Sequence, residues 1–201
     1  MCKTILLSMA FIVSLFLSPR SSHCQTQVIK ESDPQQQQDE PKTKLETFKS
    51  KYETLLLKGY IEVGKQNLNP TIITVYAQEL FDVKTKDRVT GINILIDQRS
   101  EHGTSYVDYD DIESLINGID YISKVDGTIT KFPRFEVYYR TRGHLEIGAF
   151  NRETVNPDDK KILYEISCGT IGGARARCDI TGLMDFKALI IQAKERLDTI
   201  K

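Results

Sequence analysis

The side chains best suited to binding chemistry are arginines that alternate with apolar residues in two stretches of the chain. Alternation places such a set on the outward face of β-strands, where each guanidinium offers a fork of donors to an anionic group. The set, which includes one tyrosine, consists of Arg134, Tyr138, Arg140, Arg142, Arg175 and Arg177. We predict a surface for an anionic partner, such as an acidic polymer, an anionic glycan or an acidic protein patch. Because Glu136, Glu165 and Asp179 share these faces, a self-neutralised, solvated surface is the alternative.

Two cysteines stand on either side of a glycine-rich turn in the last third of the chain. Cys168 and Cys178 each share parity with apolar neighbours, and in a symmetric hairpin they would lie opposite each other. An exported chain favours a disulfide between them, and two buried free thiols are the alternative. The sequence offers no second cysteine pair and no well-spaced histidine to complete a metal site. We therefore predict a disulfide and no bound metal.

Motifs for catalysis and for cofactor binding are absent from the sequence. No zinc-protease, nucleophile-elbow, phosphate-loop or dinucleotide-binding pattern occurs. His102 and His144 fall in predicted turns and are interpreted as surface residues. The aspartates between Asp108 and Asp111 lack the glycine and the closing glutamate of a calcium loop. We predict no catalytic residue and no cofactor, with an enzyme of unrecognised type as the alternative.

The first 24 residues have the layout of a secretory signal peptide. Lys3 is followed by a nearly unbroken apolar run from Ile5 to Leu17, which is too short for a comfortable membrane span. We predict cleavage after Cys24 and a secreted or periplasmic protein with no stable membrane span once the signal is removed. An uncleaved anchor is one alternative. A lipid anchor at Cys24 is another, which we disfavour because lipoprotein signals have a small residue where His23 stands.

The rest of the chain divides into a polar segment and a globular region. Residues 25–44 are rich in Gln, Pro and charged residues, so we predict a disordered linker there and a single α+β domain over residues 45–201. Without residues 1–24, the chain has 25 basic and 28 acidic side chains and a formal charge of −3. This balance provides no general attraction for nucleic acid.

Helical spacing of apolar residues predicts a central helix over residues 108–125, with Asp110 and Glu113 as its capping box. Its apolar stripe is Ile112, Leu115, Ile116, Ile119 and Ile122. A helix at the C-terminus has the stripe Phe186, Leu189, Ile190, Ala193, Leu197 and Ile200. A short leading helix is indicated by Leu45, Phe48, Tyr52 and Leu55.

Alternating apolar residues indicate three strands before the central helix and four after it. A curved antiparallel sheet of about seven strands, with two amphipathic helices packed on one face, would bury all of these stripes. In topology, this order resembles the duplicated sheet-plus-helix arrangement of Whirly and Pur-alpha-type proteins. The resemblance implies a single-strand nucleic-acid binder as one alternative. The function that we predict is a non-catalytic binding or structural module of unknown ligand.

Overall fold

The chain forms a short leading helix and then two successive units of four strands and a helix. The computed structural model describes residues 43–99, 101–151, 161–169 and 173–200. The predicted signal peptide and all of the predicted linker before Thr43 lie outside the described residues. The elements in chain order are α1 (Lys44–Lys49), β1 (Leu56–Leu68), β2 (Thr71–Asp82), β3 (Arg88–Gln98), β4 (Glu101–Asp108), a 3-10 turn (Tyr109–Asp111), α2 (Ile112–Ser123), β5 (Glu136–Arg140), β6 (Leu145–Asn151), β7 (Ile162–Cys168), β8 (Arg175–Cys178) and α3 (Ile180–Asp198).

The first four strands form an antiparallel sheet, sheet A, in the order β1-β2-β3-β4. β-branched residues alternate along its central strands, and the register places Ile73 opposite Ile96 and Val75 opposite Ile94. These side chains are fully buried on the inner face of the sheet. A bulge at Val63 interrupts the pairing of β1 with β2, and therefore increases the local twist of this edge strand.

The last four strands form a second antiparallel sheet, sheet B, in the order β5-β6-β7-β8. One row across its inner face joins Tyr139, Ile147, Ile166 and Ala176. An isolated β-bridge between Tyr106 of β4 and Gly143, in the turn after β5, connects the two sheets. Apolar residues from both inner faces and from both long helices belong to one buried cluster.

Each long helix packs mainly on the sheet that it does not follow in the chain. α2 comes after sheet A but contacts β5 and β6 of sheet B, whereas α3 comes after sheet B and contacts β1, β2 and β3. Gly118 of α2 allows the approach, since a Cβ there would lie 2.6 Å from the ring of Tyr139. The helices also contact each other through an ion pair of 2.6 Å between Lys187 and Asp120. The core therefore depends on contacts between the two units.

The α+β class with antiparallel sheets is confirmed, but the single sheet of about seven strands is not. The described residues form two four-stranded sheets instead, and the additional strand is β4. The three strands predicted before the central helix do not include β4, in which Val107 is the only aliphatic residue. Its inward positions are small instead: Gly103 lies against the backbone of Cys168, and the Ser105 hydroxyl donates to the Gly143 carbonyl at 2.7 Å.

The predicted helical stripes agree with the observed burial except at their ends. All five stripe residues of α2 are buried. In α3 the stripe is buried or half-buried as far as Leu197, whereas Ile200 lies beyond the helix and is 48% exposed. α1 ends at Lys49, so only the first two of its four predicted apolar residues are buried, and Tyr52 and Leu55 are exposed.

The capping box predicted for the central helix is wrong. Neither Asp108 before the 3-10 turn nor Asp111 before α2 forms a side-chain cap for its own helix. Asp110 is exposed and pairs with Lys44 at 2.5 Å. A capping box does occur at α1, where the Thr43 and Glu46 side chains accept hydrogen bonds from each other's backbone amides.

Candidate functional site

The outward face of sheet B is the surface on which the predicted binding residues meet. Both long helices lie on the other side of their sheets, and the outward positions of β5 and β8 are exposed. One row across the face joins Tyr138, Gly148, Glu165 and Arg177. The next row joins Arg140, Glu146, Ser167 and Arg175. With Glu136 and Phe150, which are paired across β5 and β6, these residues define what we call the arginine face.

Arginines occupy the two outer strands of the arginine face, and the glutamates that pair with them, Glu146 and Glu165, lie on the two inner strands. The Arg140 guanidinium bonds to Glu146 on the adjacent strand. Glu165 accepts from two arginines of β8, at 2.8 Å from Arg177 Nε and 3.4 Å from Arg175 Nη1. These pairs connect each guanidinium group to a glutamate of an inner strand. Because each guanidinium has five N–H donors, several donors on each arginine point away from the glutamates.

Aromatic rings complete the arginine face. The Tyr138 ring lies over Gly148, where an added Cβ would be 2.9 Å from ring carbons. Its hydroxyl donates to Glu136 Oε2 at 2.5 Å, and this hydrogen bond, followed by burial, raises the pKa of Tyr138 to about 12. Arg140 lies 5.5 Å from the centre of the Tyr138 ring, and Arg177 lies 5.8 Å from that of Phe150. These distances allow cation–π attraction, so both arginines are held by a carboxylate and by a ring.

Two of the six predicted site residues stand apart from this face. Arg142 lies beyond the end of β5, and its guanidinium is 3.7 Å from Asp111 at the start of α2. Arg134 is exposed in the segment that precedes β5. The structure therefore brings together Tyr138, Arg140, Arg175 and Arg177 from the predicted set.

The residues of β6 on the arginine face were missed by the sequence argument. Glu146 alternates with the buried Leu145 and Ile147, so its outward position could be read from the sequence. Its partnership with Arg140 could not, because it depends on the register between β5 and β6. Phe150 was missed for the same reason.

A cleft of about 530 Å³ opens beside β8. Arg175 and Arg177 line it together with Gln98, Glu101 and the turn at Asn69 and Pro70. The β8 arginines therefore border two surfaces, the arginine face and this cleft.

The predicted disulfide is wrong for the described structure. Cys168 and Cys178 are both free and buried. Cys178 lies opposite Tyr164, four residues before Cys168 on the same strand, and the Cys168 amide bonds to the Ala174 carbonyl. Four residues of a strand span about 13 Å, well beyond the 4.4–6.8 Å between Cα atoms that a disulfide requires. The β7–β8 register therefore places Ala174, and not Cys178, beside Cys168.

The two histidines among the described residues occupy surface positions. His144 adopts a positive φ of 61° in the turn between β5 and β6. His102 places Nδ1 2.6 Å from the Asp97 carboxylate, and its side chain is 65% exposed. Among the described residues, no group of three or more His, Cys, Asp or Glu side chains is placed to hold a metal ion. No helix in this part of the chain has the length and apolarity needed to cross a membrane.

Comparison with protein-family models, with curated proteins and with solved structures gives no match for this chain.

Proposed function

We propose that this protein is an exported, non-catalytic binding module that holds its partner on the arginine face. The observation that carries the proposal is the open four-stranded sheet on which three arginines and Tyr138 form rows, each arginine paired with a glutamate and two of them beside aromatic rings. Arginine and tyrosine are among the residues that most often dominate binding energy at interfaces. Side chains that are already ordered lose less conformational entropy when a partner binds.

The chemistry of the arginine face favours a partner that carries carboxylate, sulfate or phosphate groups. The outer strands offer unused guanidinium donors, and Tyr138 adds an aromatic surface between them. Three glutamates balance the three arginines, so the attraction should be short-ranged, and it should weaken as salt increases. Export of the protein is proposed from its first 24 residues, and the mass of the exported form is expected to correspond to a chain that begins at Gln25.

The proposal is tested by reversing one charge on the arginine face and one outside it. Arg140→Glu places a second acid beside Glu146, whereas Arg142→Glu makes the same charge change at a side chain of equal exposure, 68% against 69%. Three immobilised probes separate the anion types: heparin for sulfate, poly-glutamate for carboxylate, and a single-stranded oligodeoxythymidine for phosphate.

Arg140→Glu should lower the salt concentration at which the protein elutes from the best of these probes, and Arg142→Glu should change it much less. Circular dichroism and the urea midpoint show that each variant is folded. If the elution salt concentration falls equally in both variants, only the net charge of the protein matters and the proposal is wrong. Failure of the wild type to bind any of the three probes would also contradict the proposal. Preference for the oligonucleotide would favour the nucleic-acid alternative.

A further inference from the structure

The long edge strand of sheet A has features of a self-association surface. β1 has 13 residues, and within the described chain it pairs with β2 alone. Its other edge therefore presents a row of backbone donors and acceptors, which is a template for pairing with another strand. The straight part of this edge runs from Leu56 to Glu62 and ends at the bulge.

Exposed apolar side chains are concentrated along this straight part. Leu57, Tyr60 and Ile61 are 53%, 66% and 51% exposed. Ile61 also lines a groove of about 360 Å³ with Ile200, which follows α3 and is 48% exposed. Burial of these side chains against a partner would remove apolar surface from water and so favour association.

The charges of β1 are complementary to those of a second, antiparallel copy of the same strand. When two copies pair antiparallel about a twofold axis at Tyr60, Lys58 of each copy lies opposite Glu62 of the other. The same register places Ile61 opposite Gly59, which has no side chain to obstruct it. Moving the axis by one residue in either direction removes both Lys58–Glu62 pairs. Opposite charges across a strand pair are favourable, and like charges are unfavourable.

We infer that the protein forms a symmetric dimer in which two β1 strands pair about Tyr60 and join the two copies of sheet A into one sheet of eight strands. The contact is isologous, so it closes at two copies. The bulge at Val63 and the twist that it adds limit pairing to a short segment, from Lys58 to Glu62. The dimer should therefore be concentration-dependent, with a dissociation constant of about 1–100 μM.

Charge reversal and charge exchange test this register. Sedimentation velocity is measured on the exported chain over a concentration series that brackets this range. Lys58→Glu creates two like-charged pairs with Glu62 and should weaken dimerisation by about tenfold or more, and Glu62→Lys should do the same. The exchanged variant, Lys58→Glu with Glu62→Lys, restores both pairs and should return the dissociation constant to within about threefold of wild type. Lys131→Glu, an exposed lysine outside sheet A, is the matched control and should have no effect.

The inference is overturned if the wild type remains monomeric at the highest concentration, or if the exchanged variant stays as weak as the single variants while retaining its fold. Arg140→Glu should leave dimerisation unchanged, because the arginine face is on sheet B. The sedimentation experiment therefore tests the dimer alone, and the elution experiment tests the binding function alone.

Discussion

Asp108 caps α1, the helix that begins at Lys44: its carboxylate accepts hydrogen bonds from the Leu45 amide at 3.0 Å and from the Lys44 amide at 2.7 Å. Asp108 is the last residue of β4 and is almost fully buried. The capping acid therefore comes from a strand more than 60 residues away in the chain. A negative charge at a helix N-terminus also complements the helix dipole. This contact holds Leu45 against Gly91 of β3, where a Cβ would lie 2.6 Å from its side chain.

We predict that Asp108→Ala lowers the free energy of unfolding by about 1–3 kcal/mol, because two backbone amides at the start of α1 lose their acceptor. Urea denaturation measures the change. Asp110→Ala is the control, since it removes an exposed ion pair with Lys44, and it should change the free energy by less than about 0.5 kcal/mol. Equal effects of the two variants would contradict the capping role of Asp108.

Gly118→Ala should destabilise the fold although alanine is the better helix former. The substitution favours the helix by about 1 kcal/mol, but its Cβ would lie 2.6–2.7 Å from three carbons of the Tyr139 ring. That ring is also held by a hydrogen bond of 2.9 Å between its hydroxyl and Ser114. Overpacking of this kind costs about 1–3 kcal/mol, so we expect a lower thermal midpoint. At Gly127 a Cβ would meet nothing within 4 Å, and Gly127→Ala should leave the midpoint nearly unchanged. A higher midpoint for Gly118→Ala would mean that α2 is not pressed onto β5.

The free energy of unfolding should decrease at acid pH because of Asp82, the last residue of β2. The Thr54 hydroxyl donates a hydrogen bond to the Asp82 carboxylate at 2.7 Å. The backbone amides of Thr85 and Lys84 and the Lys51 ammonium group also donate to it. Together these donors hold the pKa of Asp82 well below its usual range. The folded chain therefore binds this proton more weakly than the unfolded chain. The stabilisation is present above about pH 4, the ordinary pKa of an aspartate, and is lost as the pH falls further.

The urea midpoint measured from about pH 2 to about pH 7 tests this prediction. Asp82→Asn should be less stable than the wild type at neutral pH, and its midpoint should depend less on pH in the acid range. Thr54→Val removes the leading donor and should reproduce part of that effect. Parallel pH profiles for the wild type and Asp82→Asn would exclude Asp82 as a source of acid sensitivity.

Both described cysteines should be reduced and unreactive in the folded protein. Burial, with a smaller contribution from Asp179, raises the pKa of Cys178 to about 12, and burial raises the pKa of Cys168 well above its usual value. Since the thiolate is the reactive form, iodoacetamide should modify neither cysteine under native conditions. In urea without reductant, both tryptic peptides, residues 162–175 and 178–187, should become alkylated. Recovery of the two peptides linked to each other would restore the disulfide interpretation.

The parts of the fold that the sequence predicted correctly are those that depend on local periodicity. The stripe of α2 could be read directly, because residues three and four apart share one side of a helix. β4 could not, because its inward Gly103 and Ser105 are small and their burial depends on contacts with the turn at Gly143 and with β7. Dividing the strands between two sheets also requires long-range pairing that no local pattern contains.

The same limit applies to the candidate site. Alternation placed Arg140 and Arg177 outward correctly, since the period of a strand is two residues. The opposition of Cys168 and Cys178 required a register in which these two residues pair across β7 and β8, whereas the observed register pairs Cys178 with Tyr164. A register shift of four residues leaves both cysteines on the buried face of the sheet. It moves their sulfur atoms too far apart to form a disulfide.

The placement of α2 on sheet B and of α3 on sheet A means that neither unit contains the cover for its own apolar sheet face. A fragment that ends after Ser123 would expose the side of sheet A on which α3 packs. The complementary fragment would expose the surface of β5 and β6 that α2 covers. The two halves, although similar in element order, therefore form one cooperative folding unit. Separately produced, they should remain unfolded alone and assemble only when mixed.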